Sequence, residues 1–199
     1  MRILRICAKG LPAFEKEKVD IDLITRGKVT DYDRDRLLPL EDSDYLFTNN
    51  VIGFAGINAS GKTTVLMLMS FVLRLISNQS INGADNPKQN DLEKVFRNFK
   101  TADFTIYLLS RNNEGLKLCT QVKYGEDGNL IIINEKLHAK NVTKSMSKKI
   151  LFEFNDSHLF LTREDMKYLP DDSGIMIVLN RDYKEKLNVV EYINNTNYK

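Results

Sequence analysis

Val51-Ile52-Gly53-Phe54-Ala55-Gly56-Ile57-Asn58-Ala59-Ser60-Gly61-Lys62-Thr63-Thr64 is the stretch on which the fold of this chain turns. Its first five residues form a short continuous apolar run, the pattern of a strand buried on both faces. Residues 56–63 then match G-x-x-x-x-G-K-[ST]. Residues 62–77 follow with apolar side chains nearly all round, which predicts a helix packed on more than one side. Strand, glycine-rich turn and helix in that order are the setting in which such a loop cradles phosphate. Small residues let successive backbone N–H groups turn inward, and a helix starting near Gly61 adds its positive end. On this reading Gly56, Asn58, Ala59, Ser60, Gly61, Lys62 and Thr63 surround the phosphates of a nucleotide. Lys62 is the mobile cation on the β and γ oxygens, and the Thr63 hydroxyl is the protein ligand for Mg²⁺. Thr64 is counted with the loop but opens the apolar helix face and has no chemical role of its own. The bland alternative, a glycine turn with an incidental lysine, requires four restricted positions and both flanking elements to coincide.

The remaining sequence bounds what such a site can belong to. At 199 residues the chain has the length of one ordinary domain or of half a two-lobed one, enough to bury a core. Hydrophobic residues at 42% and charged residues at 28% exclude general disorder, collagen and coiled-coil rods. A net charge of +2 gives no support for nucleic acid or an anionic membrane as partner, so any basic patch has to be local. Cys7 and Cys119 lack metal-ligand spacing and read as buried free thiols of a reducing compartment. The most apolar run, 65–76, is too short to span a bilayer and carries Ser70 and Arg74. No signal peptide is read at the N-terminus, and the expected address is the cytoplasm.

Residues 2–8 and 19–24 read as two antiparallel strands, and 26–50 as polar and irregular. Beyond the long helix, 78–90 is a loop, and Asn90-Asp91-Leu92-Glu93 opens a short helix to about Phe99. The period then changes from helical to alternating. Runs at 102–108, 116–124 and 130–133 are separated by Asn112-Asn113-Glu114-Gly115 and Gly125-Glu126-Asp127-Gly128-Asn129, residues that hairpin turns require, which predicts a three-stranded meander. Further short strands are expected at 150–154, 158–161 and 175–179, a turn at 171–174 and a helical pattern from Lys184 to Ile193.

A phosphate loop alone hydrolyses nothing, because a second acidic site has to hold the metal's water shell and orient the attacking water. Its usual form, four apolar residues and then Asp and Asp or Glu, is approached by Leu130-Ile131-Ile132-Ile133-Asn134-Glu135, with Asn in place of the metal-side Asp. Those residues are better explained as the last meander strand. His138 and His158 have no ligand neighbours and read as surface or turn histidines. Gln89 and Gln121 are weak candidates for a γ-phosphate sensor, being placed in a loop and a hairpin strand. Phe14 and Tyr45 precede the loop where an aromatic could stack on a base, with core packing the simpler role for both. Lys140, Lys144, Lys148 and Lys149 form a basic cluster, read first as a solvated face and second as a nucleic-acid contact.

With Asn-Ala-Ser inside it, the loop from Gly56 to Thr64 resembles that of AAA-family ATPases of the ABC-like kind, the group shared by the overcoming-lysogenization-defect nucleases and SMC heads. The likeness extends to an N-terminal hairpin ending near Phe14, the strand before the loop, the long apolar helix, and a meander closing in Ile133-Asn134-Glu135-Lys136-Leu137. Only the loop is motif-specific. The resemblance implies an α/β P-loop NTPase fold: an ATP-binding N-terminal lobe over 1–183, with the P-loop at 56–63 and an antiparallel β-meander subdomain at 102–137, followed by the start of a helical segment at 184–199. It implies ATP and Mg²⁺ as ligands. It also implies that the signature and second acidic motif, not found in these residues, come from a C-terminal lobe, that a second head completes a dimer around the nucleotide, and that hydrolysis needs both. The alternative from a different class is a binding or regulatory module that uses nucleotide as an ordering ligand without hydrolysis. A complete small kinase or GTPase is disfavoured, since no Asn-Lys-x-Asp guanine reader occurs.

Overall fold

The structure, a computed structural model, describes residues 1–26, 30–34, 36–40, 43, 45–49, 51–57, 61–77, 79–82, 95–96, 98–110, 113–126, 129–165, 172–176 and 179. Mixed α/β, it is built mostly of antiparallel strand. In chain order the elements are β1 (Arg2–Lys9), β2 (Lys18–Asp22), β3 (Ile24–Arg26), α1 (Asp31–Arg34), β4 (Leu37–Pro39), β5 (Leu46–Asn49), α2 (Lys62–Ile76), β6 (Thr101–Leu109), β7 (Glu114–Tyr124), β8 (Leu130–Asn141), α3 (Lys148–Phe152) and β9 (Leu159–Thr162). A six-stranded sheet runs β2-β1-β6-β7-β8-β9 with every neighbouring pair antiparallel, and a three-stranded sheet runs β3-β5-β4.

The alternation that predicts the meander is what builds it. Ala102, Phe104, Ile106 and Leu108 of β6 are buried on one face while Asp103, Thr105 and Tyr107 point the other way, and β6 pairs with β7 from Thr101↔Lys123 to Leu109↔Gly115. The meander is longer than the sequence suggests, because Lys136–Asn141 continue β8 opposite Glu114–Cys119. β1 and β2 form the expected N-terminal hairpin, in register from Arg5↔Asp22 to Lys9↔Lys18. Gly10 lets that hairpin leave β1: its φ is 76°, and a Cβ there would stand 2.3 Å from the Thr101 carbonyl oxygen. Gly10→Ala therefore combines left-handed strain with a backbone clash, and a loss of about 2–3 kcal/mol is expected. A urea midpoint equal to that of the parent would contradict the clash.

Helix α2 lies on the apolar face of the six-stranded sheet. Leu68, Phe71, Val72 and Leu75, at i, i+3, i+4 and i+7, are buried with Ile6, Phe104, Ile106, Leu118, Val122 and Leu137. Phe71 meets Phe96 edge-on at 4.7 Å and Phe104 at 5.1 Å between ring centroids. One stripe of the helix is exposed, Thr63, Leu66, Ser70 and Leu73, with Leu66 and Leu73 at 53% and 51%; its other residues are buried or half-buried, Met67, Met69 and Ile76 packing against the same cluster. A second cluster of Leu4, Ile24, Leu40, Leu46, Leu109, Val142 and Leu151 joins the other face of the sheet to β3, β5 and α3. Leu4 reaches it from a register irregularity between Ile3 and Arg5.

Several local expectations are corrected. Residues 26–50 are not irregular throughout, since α1, β4 and β5 lie among them. Residues 148–152 are helical where a strand at 150–154 was expected, and Ser147 caps that helix by accepting from the Ile150 N–H at 3.3 Å. The apolar run at 175–179 opens as a helical turn at 174–176, again behind a serine, whose Ser173 Oγ accepts from the Met176 N–H at 3.2 Å. β9 matches the strand expected at 158–161. Most of the helix expected from Asn90, all of that expected at 184–193, and Gln89 lie outside the described residues.

Candidate functional site

Residues 51–57 carry the chain from β5 to the loop without forming a strand, contrary to the expectation of a buried one. β5 is the central strand of the three-stranded sheet, and the segment after it pairs with neither sheet. Val51 and Ile57 are 86% and 83% exposed. Gly61 follows with φ 82° and ψ 7°, a left-handed residue at the N-cap of α2, a conformation that glycine adopts without a Cβ penalty. No side chain caps the helix and no acidic residue occupies its first turn. The first helical bond runs from the Val65 N–H to the Gly61 carbonyl at 3.0 Å, leaving the amides of the first turn directed toward the loop.

The Lys62 ammonium folds back over that loop, donating to the Gly56 carbonyl at 2.6 Å and the Ile57 carbonyl at 2.7 Å. Gly56, Gly61 and Lys62 are thus brought together at one end of α2. Thr63 is exposed in the first turn and Thr64 half-buried behind it, while Asn58, Ala59 and Ser60 lie outside the described residues. An ammonium resting on two neutral carbonyl oxygens can exchange them for charged phosphate oxygens, which make stronger, charge-assisted hydrogen bonds. The exposed Thr63 hydroxyl is a hard oxygen donor suited to a magnesium ion that takes its other ligands from phosphate and water. Among the described residues no group of three or more His, Cys, Asp or Glu is placed to hold a metal by itself.

Glu135 has other employment. Its side chain is fully buried, and Oε2 accepts from Arg163 Nη1 at 3.0 Å and from the Gly174 N–H at 2.9 Å, while Oε1 accepts from the Ser173 hydroxyl. Burial raises this carboxyl above its ordinary range, and the Ser173 and Arg163 bonds offset only part of that. The carboxylate fastens β8 to the turn after β9 and to the start of the 174–176 helical turn. Asn134 faces the opposite side, in a shallow groove with Asp103, Thr105, Cys119, Gln121 and Lys136. The two residues that a second acidic motif would need together therefore part to opposite faces.

The weaker candidates resolve mostly into structure. Lys140 is buried, donating to the carbonyls of Ile150 and Glu153 with its ammonium 4.3 Å from the Phe154 ring centroid, and Lys148 pairs with Asp22 and donates to the Ile24 carbonyl at 3.0 Å. Burial lowers the Lys140 ammonium. Lys149 stays exposed, 3.6 Å from Glu153. A solvated basic face is therefore the wrong description of half this cluster. His138 is buried rather than superficial, whereas the half-exposed His158 sits in a 3-10 turn. Phe14 packs against the core as expected, but Tyr45 is 71% exposed. Gln121 donates to Asp103 at 2.7 Å across the strands. Both cysteines are free and half-buried; Cys7 lies beside Asp20, and burial and that carboxylate push its thiol up to about 11. Asp20 itself is held low by Arg5, whose Nε reaches it at 2.8 Å.

Comparison with protein-family models, with curated proteins and with solved structures finds no match to this chain. Among the described residues no helix is long and apolar enough to cross a membrane.

Proposed function

We propose that this chain binds ATP with Mg²⁺ through its 56–64 loop, as the N-terminal lobe of an ABC-like ATPase head with the P-loop NTPase fold. Lys62 carries the reading. Its ammonium lies over the loop at the open N-terminus of α2, beside a left-handed Gly61, where a β/γ-phosphate would take over its two carbonyl contacts. Gly56, Asn58, Ala59, Ser60 and Gly61 would supply the backbone cradle and Thr63 the metal oxygen. A second support is the exposed apolar side chains near that end, Val51, Ile52 and Ile57 before the loop and Leu66 in the second turn of α2. A C-terminal lobe contributing further sheet would cover them.

Hydrolysis is assigned to that lobe and to a second head, because Glu135, the one acid near a usable motif, is consumed by Arg163, Ser173 and Gly174. The same observation favours the second reading, a nucleotide-ordered binding module that never turns over, located like the ATPase in the cytoplasm. Titration calorimetry is expected to give saturable one-site binding of ATP with Mg²⁺ and none of AMP, since the loop addresses the β and γ phosphates. Under single-turnover conditions at high protein concentration no product should form. Equal binding of AMP would remove the loop from the site, and robust turnover would make this chain a complete enzyme.

A further inference from the structure

The face of the six-stranded sheet opposite α2 carries a groove of about 160 Å³ across β6, β7 and β8. Its polar side chains stand in two cross-strand rows. Asp103, Gln121 and Asn134 are opposite one another in the first row, and Thr105, Cys119 and Lys136 in the second. Asp103 and Lys136 therefore mark opposite ends, two strand spacings and two residues apart, or about 12 Å between Cα atoms. Gln121 Nε2 donates to Asp103 Oδ1 at 2.7 Å, which fixes that carboxylate and leaves Oδ2 for a ligand. Asp103 makes no ion pair with Lys136 or with Lys9, its partner on β1. The Asn134 amide, the Thr105 hydroxyl and the Cys119 thiol likewise have no hydrogen-bond partner among the described residues. We propose that this groove binds a free α-amino acid, its ammonium group on Asp103 and its carboxylate on Lys136 and the Asn134 amide.

Size sets the class first. Pockets for drug-sized ligands hold about 300–1,000 Å³, so this groove takes a single amino acid rather than a nucleotide or a peptide. Charge then narrows it. A simple carboxylate is opposed by Asp103 and a simple amine by Lys136, so each end rejects what the other attracts. A molecule that carries both charges satisfies both ends through charge-assisted hydrogen bonds. The strands hold the Cα positions fixed, and the four-carbon stem of Lys136 spans the remaining distance to the ligand. Thr105 and Cys119, half-buried between the ends, make a floor of small side chains. Asp103, Asn134 and Lys136 are exposed, so water competes with each contact and the expected dissociation constant is about 1 mM.

Two-dimensional proton–nitrogen NMR of the whole chain, titrated with glycine and separately with L-serine to about 20 mM, reads the site directly. Saturable amide shifts are expected at residues 103, 105, 119, 121, 134 and 136, with the inner core unmoved. N-acetylglycine lacks the ammonium charge and glycinamide the carboxylate, and each should bind about tenfold more weakly or not at all. Lys136→Glu, which sets a like charge against the ligand carboxylate, should abolish the shifts, and Lys136→Arg should keep them. Position 136 is exposed, so both variants keep the fold, and the analogue series needs no variant. Absence of saturable shifts with either amino acid, equal binding of N-acetylglycine or glycinamide, or an unchanged isotherm in Lys136→Glu would overturn the proposal.

Discussion

Replacing Glu135 by leucine is expected to remove about 3–5 kcal/mol of stability and to lower the melting temperature by about 10 °C. The carboxylate accepts three hydrogen bonds at zero exposure, and its ion-pair partner Arg163 is itself buried, 3.0 Å away. Removing the acid leaves a guanidinium in a low-dielectric site without its ionic partner, the Asp172 carbonyl at 3.3 Å being a neutral acceptor. Two charges withdrawn from water contribute less than their mutual attraction suggests, because desolvation opposes it. Substituting both Glu135 and Arg163 by leucine should therefore recover the part of the loss that comes from the unpaired guanidinium, while the Ser173 hydroxyl and the Gly174 N–H stay without their acceptor. A single substitution costing under about 1 kcal/mol, or a double one as damaging as the single, would show that the pair does not bear the 172–176 segment as described.

This carboxylate also marks where sequence reading stops. Counting by two from buried Ile132 sends Asn134 inward and Glu135 outward, yet the structure does the reverse. A register shift between Gln121 and Val122 pairs Gln121 with Asn134 and Val122 with Ile132, leaving Ile133 as the extra residue, 39% exposed, and inverting the face beyond it. Nothing local in the sequence announces such a bulge. The meander itself is legible because the runs 102–108, 116–124 and 130–133 lie between turn-forming glycines and asparagines, whereas the part of β8 beyond the bulge is not. β3, β4 and β5 were not, since three or four residues are too few to display a period and their pairing is settled by packing under Leu4 and Leu109. α3 and the 174–176 turn were missed for a different reason. Their apolar, β-branched residues resemble strand, and the helix signal was the serine in front of each. At the loop, α2 starts where the motif places it, whereas the apolar run at 51–55 forms no strand, its short apolar pattern alone not specifying a partner strand.

Deleting the Lys62 ammonium is expected to weaken ATP–Mg²⁺ binding by about tenfold to a hundredfold, the worth of a charge-assisted contact to phosphate. Alanine is a strong helix former, so Lys62→Ala leaves α2 intact, and Leu68, Phe71, Val72 and Leu75 keep the helix on the sheet. Its melting temperature should stay close to that of the parent, which separates lost affinity from lost fold. Among the described residues the loop loses the Lys62 contacts to the carbonyls of Gly56 and Ile57, both at the exposed end of the helix. Side-by-side calorimetric titration of the parent chain and Lys62→Ala with ATP and Mg²⁺ is the most direct measurement of whether this loop is the nucleotide site. The predicted result is a saturable isotherm for the parent that collapses in the variant at unchanged stability; superimposable isotherms for the two proteins would contradict it.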